Sequence, residues 1–597
     1  MRMKLSDYVA QKVVELGIEH VFMVTGGGAM HLNQSFGTHD ELECIFNHHE
    51  QACAMAAESY SRLTNRPALV NVTSGPGCIN ALNGVYGAWT DSISMLVVSG
   101  QVKYETTVRS TGMALRQYGD QEVDIEPLAT SITKYCEMVT DPKSIRYHLE
   151  KAFYLATTGR PGPCWLDIPI DVQGAQIEID DLPAFDPCVL EEPWKQTDLV
   201  QACEDILAKL SGAHRPVIFA GAGVRLSGRH DDFIKVVEAL GVPVVTGWNA
   251  HDAIWNDHPL FVGKPGTVGD RAGNFVVQNA DVLLVLGSRL NIRQVSYNWP
   301  AFAPKAYKIW VDVDELEMRK PTVKADMLIH ASLSDLLPLL ADHAYAGPQE
   351  EHVEWLAWCQ ERREKYPVVL PTYWDNEQIN PYCFMDTLFK NLEDGQIVVS
   401  ANGSACVIGF QVAQLKRNQR LWTNSGCASM GYEIPAAIGA YKGSGEKPVV
   451  CIAGDGSIMM NLQELQTIAG NKLAIKIFII NNQGYSSIFQ THRNFFNGVE
   501  VGAGPSSGVN FPDFSKLSYA FDLPYVKCTT HEEMAEAIMK TMAIEGPAVC
   551  EIMTDENQPF APKLSSKQLP DGTIVSPSLE DMSPFLSEEE MKENMLE

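Results

Sequence analysis

The stretch VCIAGDGSIMMNLQELQTIAGNKLAIKIFIINNQGYSS, from Val450 to Ser487, places one carboxylate and two amides where chemistry is commonly done. An apolar strand breaks at Gly454, Asp455, Gly456 and Ser457. A helical pattern follows, and a second apolar strand ends in Asn481, Asn482, Gln483 and Gly484. Ligands of open α/β sheets bind outside the carboxyl ends of strands, and neighbouring parallel strands would bring Asp455 and Asn482 together. A carboxylate, a side-chain amide oxygen and a loop carbonyl are hard oxygen ligands. They suit an octahedral Mg2+ that also takes phosphate oxygens and water. Gly454, Gly456 and a helix beginning at Ser457 would let backbone amides approach a phosphate. Gly-Asp-Gly by itself is an ordinary turn. The second strand, ending in Asn-Asn about 26 residues further on, turns the pair into the two sides of a Mg2+-bridged diphosphate site.

Such a pair needs parallel strands covered by helices to position it. Apolar runs alternate with helical patterns along the chain: PALVNVTS, SMLVVSG, PCWLDIP, PVIFAG, PVVTGW, DVLLVLGS, KIWVDVD, QIVVSANG, PVVCIAGDG and AIKIFIINN. This rhythm predicts an α/β protein with doubly wound parallel sheets. The chain has 597 residues, too many for one hydrophobic core. At roughly 150 residues per domain it should hold about three or four. Two polar, Pro-rich stretches, 179–194 and 343–355, read as linkers. The expected divisions are 1–178, 195–342 and 365–555, followed by an extended C-terminal tail, 556–597, lying over the surface. The N-terminus reads as an amphipathic helix, with Leu5, Val9, Val13 and Leu16 about one turn apart, and lacks the pattern of a signal peptide.

A formal net charge of −28 disfavours nucleic acid and anionic membranes as partners. No apolar run reaches the ~18 residues of a membrane span. The 14 cysteines are scattered without a CxxC pair. Reduced thiols in a cytoplasmic protein are expected, with no zinc site.

The Gly-Asp-Gly signature followed at this spacing by Asn-Asn resembles that of the thiamine diphosphate enzymes. The resemblance implies that Asp455, Asn482 and the carbonyl of Gly484 bind Mg2+, which holds the cofactor's diphosphate. The segment FNHHEQACAMAAESYSRLTNRPALVNVTSGPGCINALNGVYGAWTDS is similar to the pyrimidine-binding domain of the acetolactate synthase branch (acetohydroxyacid synthase). Glu50 then matches the glutamate that hydrogen-bonds the pyrimidine ring and so promotes removal of the thiazolium C2 proton. Thr73, Pro76 and Asn80 fall in the matching cofactor segment, and Gly26, Gly27 and Gly28 in the loop that faces the reaction centre across a subunit boundary. In NSGCASMGYEIPAAIGA, Ala428 matches the carbonyl that accepts from the pyrimidine amino group. Met430 matches the wedge that bends the cofactor, a proximity device, although Met430 alone would read as core packing. Gly403 and Ser404, with Asn402 before them, are the expected second diphosphate loop. Gln121, in RQYGDQEVDI, matches the glutamine that lines the substrate side.

The middle block resembles the family's central Rossmann-like domain, which binds FAD in the acetolactate synthase branch. Gly221, Gly223, Arg289 and Asp312 match positions near the flavin. Arg293 matches the arginine near the second substrate, though by itself it also reads as a surface or ion-paired residue. Two segments depart from the branch. GKPGTVGDRAGN carries Thr267 where a methionine stands, and GYSSIFQTHRNFF carries Thr491 where an acceptor-selecting tryptophan stands. A lost wall aromatic changes pocket volume and acceptor preference.

The expectation is decarboxylation of a 2-oxo acid, simplest as pyruvate, and carboligation of the acyl unit to an acceptor carbonyl. With His492 and Arg493 near the altered wall, the acceptor is expected to be larger and polar, such as a keto-sugar. A simple 2-oxo acid decarboxylase and a C–C hydrolase using the same cofactor remain alternatives. Glu50, Asp455 and Asn482 together weigh against a non-catalytic paralogue. The resemblance also implies a homodimer or homotetramer with sites at the interface.

Overall fold

Three six-stranded sheets, all parallel, follow one another along the chain. A computed structural model describes residues 1–190, 197–343, 350–568 and 571–596. In the first sheet the strands lie in the order Glu43–Phe46, His20–Met23, Ala68–Val72, Met95–Gln101, Pro163–Pro169, Tyr135–Met138. The third sheet repeats that winding with Arg420–Trp422, Ile397–Ser400, Val449–Gly454, Ile475–Asn481, Ala548–Met553, Tyr525–Cys528. Numbered by sequence within each sheet, both read 2-1-3-4-6-5. The middle sheet reads 3-2-1-4-5-6, from Phe261–Gly263 through Val244–Thr246, Pro216–Ala220, Val282–Leu286 and Tyr307–Asp312 to Met327–His330. This is the strand order of a dinucleotide-binding Rossmann fold.

In each sheet the winding switches direction beside its first strand, and a crevice opens there beyond the strand ends. In the first sheet the reversal lies between His20–Met23 and Ala68–Val72, in the second between Pro216–Ala220 and Val282–Leu286, and in the third between Ile397–Ser400 and Val449–Gly454. The central strands are buried on both faces, which is why they read as continuous Val/Ile runs.

The first and third sheets share one apolar core, in which helix Glu50–Thr64 packs on helix Glu433–Gly443. A Cβ at Gly439 would lie 1.9 Å from the Ala56 carbonyl, so only glycine permits this approach. Charges are buried in the joint. Arg62 Nε donates to Glu58 at 2.9 Å and Nη2 to Asp91 at 2.7 Å, while the Tyr432 hydroxyl donates to Glu58. Asp91 also accepts from Gly426 N at 3.1 Å and Asn249 Nδ2 at 3.3 Å, so one carboxylate touches all three domains.

The N-terminal helix forms as Leu5–Glu15. Two expectations need correction. The stretch 343–355 is not wholly linker, because helix Glu350–Lys365 begins inside it; its buried Trp355 and Cys359 pack on the middle domain. The segment from 556 is not simply extended. It holds two short antiparallel strand pairs, one nested inside the other in sequence, and helix Glu588–Asn594, anchored by Arg362 on Asn594 Oδ1 at 3.1 Å. Residues 191–194 and 344–349 of the expected linkers lie outside the described residues. Among the described residues no helix is long and apolar enough to cross a membrane.

Candidate active site

At the carboxyl end of Val449–Gly454 the Asp455 side chain is buried. Its Oδ1 accepts from Gly456 N at 2.7 Å, and its Oδ2 from Asn482 N and Gly484 N, each at 3.1 Å. Adjacent parallel strands thus bring Asp455, Asn482 and Gly484 into one cluster. Burial pushes the carboxyl up to about 7, against the downward pull of the Gly484, Gly456 and Asn482 amides. Asn482 is also buried, and its Nδ2 has no hydrogen-bond partner among the described residues. A buried carboxylate that backbone amides alone do not balance fits a hard divalent cation, while the unpaired Nδ2 donor beside it fits an acceptor such as a phosphate oxygen. The turn is tight: a Cβ at Gly456 would lie 2.2 Å from the Tyr485 ring.

Ser457 does not open an α-helix, as its spacing predicted. A single 3-10 turn, Ile458–Met460, intervenes, and the helix proper is Glu464–Gly470. The Ser457 hydroxyl donates to Glu433 Oε2 and accepts from Gly431 N, both at 2.8 Å. It therefore ties the Gly454–Ser457 loop to the segment carrying Met430. That segment arches through Ala428, exposed and in the left-handed region at φ +59°. Asn402 is a bracket rather than a free ligand: its Nδ2 donates to Asn424 Oδ1 at 2.6 Å and to Ser429 O at 2.8 Å. Gly403 and Ser404 begin helix Ser404–Val412 at the switch crevice of this sheet.

The first sheet's crevice gathers a second set. Glu50 opens helix Glu50–Thr64. Asn80 Nδ2 donates to Glu50 Oε2 at 3.0 Å, which leaves Oε1 facing the turn at Gly77. Thr73 Oγ1 accepts from Gly28 N at 3.0 Å, joining the Gly26–Gly28 loop to the turn before Pro76. Gln121 is exposed and its backbone abuts Gly75. Glu50 and Asp455 do not hydrogen-bond each other among the described residues.

The middle crevice is a cavity of about 960 Å3 whose walls include Gly221, Gly223, Arg289 and Asp312. Burial pushes the Asp312 carboxyl up to about 6. Trp248 Nε1, Gln294 Oε1 and His330 Nδ1 belong to wall residues and are buried without partners among the described residues. Buried polar atoms are normally paired, so this wall fits a large ligand with several hydrogen-bonding groups, as a dinucleotide has. No spacing pattern in the sequence points to these three residues.

Thr267 and Arg293 meet in a smaller cavity, where Thr267 N and Oγ1 donate to the Arg293 carbonyl at 2.8 and 3.2 Å. Thr491 lies apart on helix Ser486–Phe495, its hydroxyl bonded back to Ser487 O. His492 is buried beside Phe496, and Arg493 donates to Asn557 Oδ1 at 2.8 Å.

Comparison with known proteins matches three successive stretches of the chain. Residues 3–128 match the N-terminal TPP binding domain of thiamine pyrophosphate enzymes, 203–340 the central domain, and 401–552 the C-terminal TPP binding domain. The chain belongs to the thiamine pyrophosphate enzyme family. It is 30% identical to the acetolactate synthase large subunit of Lactococcus lactis over 561 residues, 94% of each chain. It is 30% identical to that of Corynebacterium glutamicum, covering 95% of this chain and 89% of the relative. With the isozyme 1 large subunit of Escherichia coli it shares 27% over 93% and 95%. Within the family it is a thiamine diphosphate-dependent carboligase of the acetolactate synthase type.

Proposed function

We propose that the protein decarboxylates a 2-oxo acid, pyruvate in the simplest case, and transfers the acyl unit to the carbonyl carbon of a larger polar acceptor such as a keto-sugar. Thiamine diphosphate, when bound, supplies the nucleophilic carbon and the electron sink that loss of CO2 requires. Asp455, Asn482 and the Gly484 carbonyl would hold Mg2+ against the diphosphate, with Gly454, Gly456, Ser457, Gly403 and Ser404 offering the surrounding backbone. Glu50 would keep a proton at the pyrimidine ring; Asn80 fixes one of its oxygens and leaves the other for that task. Met430 and Ala428 would support the ring, and Gln121, Thr267, Arg293 and Thr491 would face the substrates. FAD is the ligand we assign to the middle cavity, through Gly221, Gly223, Arg289 and Asp312. Its volume lies within the range of ligand sites.

Two copies are needed to complete each site in this reading. Ile79 and Tyr86 are exposed on the same helix as Asn80, and Met459 and Met460 are exposed beside the metal loop. Apolar side chains at the rims of both half-sites support an isologous dimer, or a tetramer of two such dimers. The 14 free cysteines, most of them buried, support a cytoplasmic setting.

The observation that carries the proposal is the buried Asp455 carboxylate facing Asn482 across adjacent strand ends. The test is incubation with pyruvate, with and without candidate acceptors. CO2 release that requires thiamine diphosphate and Mg2+, with a ligated product, is expected. Aldehyde as sole product would make it a simple decarboxylase, and no CO2 from any 2-oxo acid would overturn the proposal. An absorbance band near ~450 nm in the purified protein tests the flavin.

A further inference from the structure

Glu464 is a carboxylate that no step of the proposed function uses, and it is wholly buried. It opens helix Glu464–Gly470, which follows the Gly454–Ser457 loop. Its side chain leaves the third domain and ends on the first. Oε2 accepts from Asn47 Nδ2 at 2.9 Å and from the Thr467 hydroxyl at 2.7 Å, and Oε1 accepts from the His48 backbone N–H at 2.9 Å. None of these donors is a cation. A buried carboxylate without a counter-ion is destabilising unless directional hydrogen bonds hold it. Here they do, and the two oxygens of one planar group fix both Asn47 and His48.

Those two residues are the entry to Glu50. The chain leaves strand Glu43–Phe46, passes through Asn47, His48 and His49, and begins helix Glu50–Thr64. Asn47 N still follows the first sheet, donating to Met23 O at 3.1 Å. His49 caps the helix, its Nδ1 accepting from Gln51 N at 3.1 Å. Between these two, the His48 side chain is exposed and its backbone N–H is held by Glu464. A second contact runs alongside. Asn461 Nδ2 donates to Gly431 O at 2.7 Å and lies 3.6 Å from Met55 Sδ on the Glu50 helix. Cys53 lies in the first turn of that helix. Burial pushes its thiol up, and the Glu464 and Glu50 carboxylates both add to the rise. Both carboxylates therefore lie close to the same helical turn. Asn80 fixes one oxygen of the Glu50 side chain, and Glu464 fixes the backbone that leads to it.

We infer that Glu464 is a positioning residue for Glu50: it holds the backbone at Asn47 and His48 so that the free oxygen of Glu50 meets the pyrimidine ring of thiamine diphosphate. It acts through Glu50 and does not touch the cofactor. This rests on the reading of Glu50 given above and adds a residue to it. The effect is one of geometry, since misplacing a reacting group by about 1 Å can cost up to about a hundredfold in rate. Asp455 keeps its own hydrogen bonds from Asn482 N and Gly484 N, which Glu464 does not share.

The test is Glu464→Gln in the full chain. The amide keeps the volume but has a single acceptor oxygen. Whichever way it turns, either Asn47 Nδ2 or His48 N faces an NH2 group. Three quantities are read: hydrogen exchange of the backbone amides over 47–50, calorimetric binding of thiamine diphosphate with Mg2+, and hydrogen–deuterium exchange at thiazolium C2 under saturating cofactor. Amide exchange over 47–50 should quicken at least about tenfold, the scale of a lost bond to a charged acceptor. Cofactor affinity should stay within about twofold, while C2 exchange slows by about ten- to a hundredfold. A merely structural residue would lower the thermal midpoint and leave C2 exchange in the folded protein at the wild-type rate. Asn47→Ala removes one of the three bonds from the other side. It should move both exchange rates the same way by less, and it carries the test if Glu464→Gln does not fold. Unchanged amide exchange over 47–50 overturns the inference, and so does weakened cofactor binding with C2 exchange at the wild-type rate. Glu50→Gln is measured beside them. Slow C2 exchange in Glu50→Gln with wild-type exchange in Glu464→Gln overturns the inference alone, whereas wild-type exchange in Glu50→Gln overturns the reading of Glu50 on which it rests.

Discussion

In the proposed mechanism two carboxylates in opposite surroundings carry the chemistry. Glu50 is half-buried, with one oxygen held by Asn80 and the other facing the turn at Gly77. Replacing it by glutamine keeps the shape and the hydrogen bond but removes the exchangeable proton. Glu50→Gln should therefore bind thiamine diphosphate while hydrogen–deuterium exchange at its thiazolium C2 slows by roughly two orders of magnitude. Exchange at the wild-type rate would remove Glu50 from the role. Asp455 is buried among backbone amides that alone do not balance its charge. Asp455→Ala should leave the fold intact and weaken Mg2+-dependent binding of the cofactor by at least about tenfold, as calorimetry with and without the metal would show.

At the scale of elements, the long central strands were legible because strands buried on both faces read as unbroken apolar runs. Every one of the ten runs quoted above became a strand. The strands missed include Glu43–Phe46, Tyr135–Met138, Phe261–Gly263, Met327–His330, Arg420–Trp422 and Tyr525–Cys528, which are the six sheet edges. Edge strands are short and partly exposed, so they leave no continuous apolar signal. Asp455 and Asn482 could be found because each follows a legible strand end. Trp248, Gln294 and His330 could not, since they converge only through the Rossmann winding of the middle sheet. Lys264, in the loop that departs from the family pattern, was equally silent. It is buried, and burial pushes its ammonium down to about 7. Its Nζ donates to Phe410 O at 3.1 Å, to Gln411 O at 3.3 Å and to Ala413 O, capping helix Ser404–Val412 from the neighbouring domain. Lys264→Met should leave those carbonyls unpaired, at a cost of about 2–4 kcal/mol. Scanning calorimetry should show the middle domain unfolding before the third; an unchanged thermal profile would mean that the cap is not needed.

At the scale of the whole molecule, the central claim of the proposal is that Glu50 and Asp455 serve the same cofactor from two different chains. The exposed apolar rims of the two half-sites, Ile79 with Tyr86 and Met459 with Met460, mark where a second copy would close each site. A closed interface excludes water from the reacting carbon. The most direct measurement is CO2 release from pyruvate by Glu50→Gln and Asp455→Ala chains, each alone and then mixed in equal amounts under conditions that exchange subunits. Each parent should be inactive. Random exchange makes half the dimers mixed, and each mixed dimer holds one intact site and one doubly damaged one. The mixture should therefore recover about a quarter of wild-type activity. A fully exchanged mixture as inactive as its parents would contradict the account, because Glu50 and Asp455 would then have to act from the same chain or at different sites.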